Sequence, residues 1–332
     1  MDLDEVVGRH HAALRVVAAN ADMAPTGAYA TVSDPTKFLK VGSRYVPTLE
    51  RARLHDELIA KALGGQSPEL EHQAVVMAGP PGAGKGHVQG SQLGGLPGYL
   101  VIDADMFKEA LVEHELHSGG LVGMTPPVMR SYAEAGERFA PFEYASLVHE
   151  ESSILAKRLQ SEQLAKGTNV VLDTVLKNEA AAERVRAQMA QHGYRFTVVS
   201  VQTTEAISRA SIRERWEGPY REFLAGQNEL GGRPVPSGFA RSVFPEGEAL
   251  SGPERSAEWL RQNSDRCTEY RLYRREEGQP HRLEVHEKRD TRAAWRDAEA
   301  ADVRRRQGVS FPGAGHRRAG SVDKGSDSSP ER

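Results

Sequence analysis

The chain has 332 residues and a formal net charge of -3, and hydrophobic and charged residues make up 39% and 27% of it. This composition excludes a fibrous or wholly disordered protein and predicts one large α/β domain with additions, or two domains of ordinary size. The near-neutral charge favours neither nucleic acid nor a membrane surface as a partner. No apolar run approaches the roughly 20 residues that cross a bilayer, and the N-terminus does not resemble a secretion signal, so we expect a cytoplasmic protein.

The single cysteine, Cys267, excludes an intramolecular disulfide bond and any zinc site built from several cysteines. Apolar residues at helical spacing then predict a mostly helical segment over residues 1–70, with helices at 3–17 and 49–63. His114 and His117 are three residues apart, but a third metal ligand is not evident near them in the sequence. We interpret them as solvated surface histidines.

Short apolar runs of the kind that form buried parallel strands recur through the middle of the chain. They cover residues 73–78, 99–102, 169–172 and 196–201. Helices are predicted over residues 143–166 and 179–192, with Asn178 as the N-cap of the second. Because strands alternate with helices, the fold class is predicted to be α/β, with a parallel sheet flanked by helices.

The remaining segments predict three regions: residues 1–70, a catalytic domain over 71–290, and a polar tail over 291–332. Two short strands are expected at 268–274 and 281–286. The Gly- and Pro-rich stretch 217–253 is interpreted as a long loop or lid. The tail has too few apolar residues to offset its ordering entropy, and we expect it to be largely disordered.

A glycine-rich segment follows the first of the apolar runs and fits the pattern G-x-x-x-x-G-K. Its residues are Gly79, Pro80, Pro81, Gly82, Ala83, Gly84 and Lys85. Glycines let successive backbone N–H groups converge on phosphate oxygens, and the lysine reaches the β and γ phosphates. The segment and the two residues after it therefore predict a binding loop for ATP or GTP, and the protein is expected to be a kinase of the phosphate-loop class.

Gly86 and His87 follow the lysine, where most phosphate loops carry a Ser or Thr that binds Mg²⁺. Without that hydroxyl, the ion would depend on water, phosphates and nearby carboxylates. Loss of nucleotide chemistry, leaving a binding protein, is the alternative interpretation.

Carboxylates stand at the ends of two predicted strands. Asp103 and Asp105 follow the second strand, and one of them could be the base while the other caps a helix. Asp173 ends the third strand, a position from which a carboxylate reaches Mg²⁺ through water. Asp103 and Asp173 are therefore the candidate metal residues, both acting through water.

Arginines follow the last of these strands and are candidate cations for a transferring phosphoryl group. They are Arg209, Arg213, Arg215 and Arg233. A charge run of this kind is usually a solvated helix face, and Glu205, Glu214 and Glu217 could simply pair with it.

Taken in order, these segments resemble the zeta toxin family of phosphate-loop kinases over roughly residues 49–244. The motifs that carry the resemblance are the phosphate loop, 101–108, 149–152, 169–174, 192–194, 213–217 and 232–233. The resemblance implies a P-loop kinase that transfers the γ-phosphate of ATP or GTP, with Mg²⁺, to a hydroxyl of a sugar nucleotide resembling UDP-N-acetylglucosamine. It also implies a possible antitoxin partner.

Residue roles follow from the same resemblance. Asp105 would be the base on the acceptor hydroxyl, with Asp173 and Thr174 near the acceptor, and Arg215 and Arg233 would neutralise the transferring phosphoryl group. Lys85 would hold the phosphates. Other acceptors remain open, among them a nucleoside, a nicotinamide dinucleotide or an antibiotic, and so does a nucleotide-binding switch with little turnover.

Overall fold

A computed structural model of the chain describes residues 2–235 and 237–289. Its strands are β1 (Phe38–Val41), β2 (Arg44–Pro47), β3 (Gln73–Ala78), β4 (Leu100–Ile102), β5 (Val170–Asp173), β6 (Arg195–Thr203), β7 (Cys267–Arg275) and β8 (Arg282–Lys288). All six strands predicted from the sequence are confirmed within a few residues. The polar tail predicted over 291–332 lies outside the described residues.

Helices occupy about half of the other described residues. They are α1 (Leu3–Ala18), α2 (Leu49–Leu63), α3 (Lys85–His87), α4 (Ala104–His117), α5 (Pro127–Glu134), α6 (His149–Lys166), α7 (Glu179–Gln191), α8 (Glu205–Leu224), α9 (Ser237–Ser242) and α10 (Gly252–Gln262). The N-cap predicted for α7 is confirmed, because Asn178 accepts a hydrogen bond from the backbone N–H of Ala181. Among the described residues, no helix has the length and apolarity that a membrane span requires.

Six strands form one sheet in the order β4-β5-β3-β6-β7-β8. The first five are parallel, and only β8 runs antiparallel, against β7. Residues 74–78 of β3 are all buried, as expected for a strand covered by helices on both faces. The predicted α/β fold, a mostly parallel sheet flanked by helices, is confirmed.

The N-terminal segment shares the hydrophobic core of the sheet. Val17 of α1 and Ile59 of α2 belong to the same buried cluster as Val76 and Leu172 of the sheet. Residues 1–70 also contain the hairpin of β1 and β2, which the prediction of a mostly helical segment missed. Its turn contains Gly42, whose φ of 61° suits a tight two-residue connection.

A buried ion cluster fixes α2 against α6. Arg51 donates to both carboxylate oxygens of Glu151, at 2.6 and 2.8 Å, and lies 2.8 Å from Glu115 of α4. His55 contacts the same Glu151 at 2.7 Å. Burial alone would raise the pKa of Glu151, but the hydrogen bonds from His55 and Arg51 lower it to about 2. The helix α2, before the phosphate loop, is therefore held to α4 and α6 by ion pairs as well as by apolar contact.

Two helix boundaries differ from the sequence predictions. The helix expected from residue 143 begins at His149, because Glu143 lies in a separate 3₁₀ turn and accepts a hydrogen bond from the Ala140 N–H. The loop expected from residue 217 begins later, because α8 continues through Pro219 to Leu224. Buried Trp216 and Tyr220 anchor that helix across the proline.

Candidate active site

The carboxyl ends of three neighbouring strands meet at one edge of the sheet. Ile102 of β4 lies beside Leu172 of β5, and Met77 of β3 lies beside Asp173 of β5. The phosphate loop follows β3, and Asp103 follows β4. Parallel pairing therefore places the loop and both predicted carboxylate positions at the edge where α/β sheets bind ligands.

The glycine-rich loop packs tightly against its surroundings. A Cβ added to Gly79 would lie 2.1 Å from the carbonyl oxygen of Val201, so the close approach to β6 requires glycine. Gly84 has a φ of 90°, in the left-handed region that glycine adopts without strain. Ser208 of α8 donates to the carbonyl of Pro81 at 2.7 Å. The loop curls against the start of α8.

Lys85 lies between the loop and β5. Its Nζ donates to the carbonyl of Gly79 at 3.2 Å and is 3.6 Å from Oδ1 of Asp173. Burial raises the pKa of the Asp173 carboxyl, and the Lys85 ammonium only partly offsets that effect. The loop lysine and the strand-end carboxylate are thus neighbours at the carboxyl edge of the sheet.

Asp103 caps α4 through its side chain, since its Oδ1 accepts a hydrogen bond from the Asp105 N–H at 2.9 Å. Burial and the neighbouring Asp105 charge raise the pKa of Asp103 to about 6. Of the two roles considered for this pair, the helix cap belongs to Asp103.

Asp105 is held by two cations. Its Oδ1 accepts a hydrogen bond from Lys108 Nζ at 2.9 Å, and Nη1 of Arg233 contacts the same oxygen. Burial would raise the pKa of this carboxyl, but Lys108 and Arg233 together hold it far below its usual range. Asp105 is therefore an ionised carboxylate at neutral pH.

Arg209, Arg213 and Arg215 of α8 are all exposed, but they differ in their charged neighbours. Burial and the nearby charge of Arg233 lower the pKa of Arg215, while the carboxylates of Asp105, Asp103 and Asp173 act in the opposite direction. Arg215 thus lies within the electrostatic reach of the site. Arg209 and Arg213 are exposed, at 3.9 Å from Glu205 and 3.2 Å from Glu217, and follow the solvated-face interpretation.

The residues after the lysine lie at the surface. Gly86 and His87 are exposed, and the His87 ring stacks on that of His281, with centroids 5.2 Å apart. His281 also contacts the carbonyl of Ala83 at 2.7 Å. The backbone N–H of Thr174 donates to the carbonyl of Met77 in β3 at 3.0 Å. Its hydroxyl accepts a hydrogen bond from the Leu176 N–H at 3.1 Å.

Two residues of this site were not predicted. Lys108 is three residues after Asp105 on α4, a spacing that places both side chains on one helix face and could have indicated the contact. His281 precedes β8 and lies about two hundred positions from the loop it contacts; the sequence carries no local signal for it.

A cavity of about 530 Å³ lies on another face of α8, between α1 and α9. It is lined by residues including Leu14, Arg209, Arg213 and Arg241. Neither the phosphate loop nor Asp103, Asp105, Asp173, Arg215 or Arg233 lines it. The proposed chemistry therefore concerns the loop edge of the sheet and not this cavity.

A family model described as zeta toxin matches residues 57–250, more than half of the chain. The chain belongs to the zeta toxin family. The match includes every predicted site residue from Gly79 to Arg233, and it confirms the resemblance found in the sequence. No curated protein matches the chain by sequence.

Solved structures share the fold of this zeta toxin family member. A chain of the native AvrRxo1-ORF1:-ORF2 complex is 14% identical with a TM-score of 0.51, over 76% of this chain and 73% of that one. The same complex with ATP gives 15% identity, the same coverages and a TM-score of 0.50. A chain of the PezAT toxin-antitoxin system of Streptococcus pneumoniae is 12% identical with a TM-score of 0.42, over 76% and 94% of the two chains. The AvrRxo1 likeness agrees with the predicted P-loop kinase fold.

Proposed function

We propose that this protein is a kinase that transfers the γ-phosphate of ATP or GTP to a hydroxyl group of a sugar nucleotide resembling UDP-N-acetylglucosamine. The observation that carries the proposal is the arrangement around Asp105. Arg233 contacts the ionised Asp105 carboxylate, the phosphate-loop lysine lies beside Asp173 at the same edge of the sheet, and Arg215 is within electrostatic reach of these carboxylates. Phosphoryl transfer needs these groups, because catalysis depends on positioning and on charge stabilisation.

The nucleotide phosphates would bind in the loop of residues 79–87. Its backbone N–H groups and the Lys85 ammonium supply the positive potential that a triphosphate needs. The fold is shared with the AvrRxo1 complex that was crystallised with ATP, which supports ATP as the nucleotide. In this arrangement Lys85 would exchange its contact with Asp173 for the β and γ phosphates.

Mg²⁺ would be held mainly by the phosphates and water. Among the residues described here, no group of three or more His, Cys, Asp or Glu side chains forms a metal cage. Asp173 and Asp103 offer carboxylate oxygens beside the loop, a donor type that suits Mg²⁺ bound through water. The ion would supply charge neutralisation at the phosphates, and these two residues would orient its water ligands.

Asp105 would orient the acceptor hydroxyl and take its proton. The acceptor oxygen forms a bond to the γ-phosphorus as the bond to the β,γ-bridging oxygen breaks, and the nucleoside diphosphate leaves. Because the transition state is loose, the hydroxyl needs orientation more than early deprotonation, so a carboxylate of low pKa is suitable. Arg215 and Arg233 would neutralise the equatorial oxygens of the phosphoryl group.

A protein partner that inhibits the kinase is also proposed. The family is that of the zeta toxins, and the matched AvrRxo1 structure is a complex of two gene products. An antitoxin of this kind would be expected to reduce transfer when it binds.

Incubation of the purified protein with Mg²⁺ and γ-labelled ATP or GTP tests the proposal. The acceptor panel contains UDP-N-acetylglucosamine, a nucleoside, NAD and an aminoglycoside, with the Lys85→Ala variant as the control. Label on the sugar nucleotide, absent with the variant, supports the proposal. Label on another acceptor still supports kinase activity but assigns a different class of acceptor. Tight nucleotide binding without transfer to any acceptor indicates a switch instead.

A further inference from the structure

The N-terminal helix α1 carries a histidine that is completely buried in the protein. His10 has no exposed surface, and each of its ring nitrogens faces a carboxylate: Nδ1 is 2.8 Å from Glu137 and Nε2 is 3.0 Å from Glu143. Its ring also stacks on Tyr220 of α8, with centroids 4.5 Å apart. A neutral imidazole donates from one nitrogen only, so two carboxylate partners favour the doubly protonated ring. Burial lowers the pKa of His10, but Glu143 and Glu137 raise it more.

Glu143 connects this histidine to α8. Its side chain is fully buried, and it accepts a hydrogen bond from Trp216 Nε1 at 2.9 Å in addition to the bond from His10. Removing one donor would leave a buried carboxylate less well satisfied, which is costly in a medium of low dielectric constant. The buried Glu143 carboxylate therefore joins α1 to α8, because it bonds both His10 and Trp216.

Trp216 connects the same cluster to both arginines of the site. Arg215 directly precedes it on α8. Gly232, which directly precedes Arg233, packs against the Trp216 backbone so closely that an added Cβ would lie 1.9 Å from its carbonyl oxygen. The Phe142 N–H, next to Glu143, donates to the carbonyl of Leu230 at 2.8 Å. The backbone of both arginines therefore lies next to Trp216, whose side chain is held by Glu143.

We propose that His10 is a positioning residue for phosphoryl transfer, which fixes Arg215 and Arg233 through Glu143 and Trp216. The role of the arginines in catalysis rests on the proposed kinase function. How His10 holds them in place does not depend on that function. His10 lies before residue 57, where the family match begins, so the site of this chain is completed by a helix outside the matched segment. Because His10 is fully buried, it would touch neither nucleotide nor acceptor.

The test compares His10→Gln with two controls on the same helix. Gln keeps a donor nitrogen, but its other amide atom is an acceptor oxygen, so it cannot bridge the two carboxylates as the doubly protonated ring does. Asp4→Asn breaks the exposed ion pair of Asp4 with Arg221, which also joins α1 to α8. Val17→Ala removes buried volume from α1 in the main core, away from Glu143. Trp216→Phe is a second test variant that keeps an aromatic ring among His10 and Tyr220 but loses the bond to Glu143 and part of the buried ring volume.

Hydrogen exchange read by mass spectrometry gives a measurement that does not need activity. In His10→Gln and Trp216→Phe, peptides containing Arg215 and Arg233 should exchange about 10-fold faster than in the wild type, while β3 and β5 keep their protection. Both controls should leave the arginine peptides unchanged. Unchanged exchange in both test variants, or equal acceleration in Val17→Ala, would overturn the proposal.

Kinetics then separates positioning from folding. With the best acceptor, kcat of both test variants should fall by about 10-fold or more, because misplaced cations stabilise the transition state poorly. The KM for nucleotide should change by less than about 2-fold, since the phosphate loop is untouched. A rise in nucleotide KM with unchanged kcat contradicts the proposal. If the wild type transfers phosphate to no acceptor, the kinase function fails, and the exchange data still decide whether His10 positions the arginines.

Discussion

Arg233 contacts the carboxylate of Asp105, which joins the segment after α8 to the first turn of α4. The same carboxylate accepts a hydrogen bond from Lys108 at 2.9 Å. These two cations keep Asp105 ionised, and an acceptor that enters the site must share this carboxylate with them. The contact therefore links the candidate base to a candidate transition-state cation before any ligand binds.

Lys85→Ala should reduce transfer by about 10²-fold or more, because the loop loses the cation that faces the phosphates. The melting temperature should stay close to the wild-type value, since Lys85 is partly exposed and adds little to the core. Exposed Lys61, in the last turn of α2, provides the control variant Lys61→Ala. Transfer near the wild-type rate in Lys85→Ala would refute the proposed role of the loop.

Asp105→Asn should reduce turnover by roughly 10²-fold while nucleotide affinity changes little, because the amide keeps the shape but cannot accept a proton. Asp103→Asn should be milder, since Asn can still cap α4. Both variants are compared by acceptor-dependent phosphate transfer and by nucleotide titration on the same preparations. An inactive Asp103→Asn protein together with an active Asp105→Asn protein would assign the base to Asp103.

Gly86→Ser should be accepted without distortion, because a Cβ at Gly86 meets no atom within 4 Å. The added hydroxyl stands where most phosphate loops hold Mg²⁺, so we expect a lower Mg²⁺ concentration at half-maximal activity. Gly84→Ala is the contrasting variant, since its Cβ would lie 2.6 Å from the His281 ring at a φ of 90°. It should lose activity. An unchanged Mg²⁺ dependence in Gly86→Ser shows that the metal does not depend on that position.

The stability of the protein should carry a pH dependence from Asp103. The pKa of Asp103 is raised from 3.8 to about 6, so the folded state binds its proton more tightly than the unfolded state does. The stabilisation that this binding gives is present at low pH and is lost as the pH rises from 3.8 to about 6. Asp103→Asn keeps the cap without that loss. The melting temperature of the variant relative to the wild type should therefore increase between about pH 4 and 6 and then level off. A difference independent of pH contradicts this expectation.

Arg51→Ala should destabilise the protein by about 3–5 kcal/mol, because it leaves the buried Glu151 carboxylate without its bidentate partner. Arg158→Ala, which breaks exposed contacts to Asp56 and Glu162, should cost about 1 kcal/mol or less. Urea unfolding of both variants measures the two costs. Equal costs would show that the buried cluster contributes no more than a surface ion pair.

The strands and the loop could be predicted because their signals are local. Four of the six strands of the sheet follow apolar runs bounded by glycine, aspartate or polar residues, and parallel pairing then brings their carboxyl ends together. The positions of Lys85, Asp103 and Asp173 at one edge follow from this rule alone. The hairpin of β1 and β2 was missed because its strands are short and largely exposed, with little apolar alternation.

The sequence by itself determined the α/β class, the phosphate loop and the family, since each depends on residue types at fixed spacing. Only the tertiary structure decided which charges meet. Asp105 with Arg233, His281 with the Ala83 carbonyl, and His10 with Glu143 are contacts across more than one hundred positions. No local pattern specifies such contacts, because they depend on how whole helices pack and on which buried polar groups must find partners.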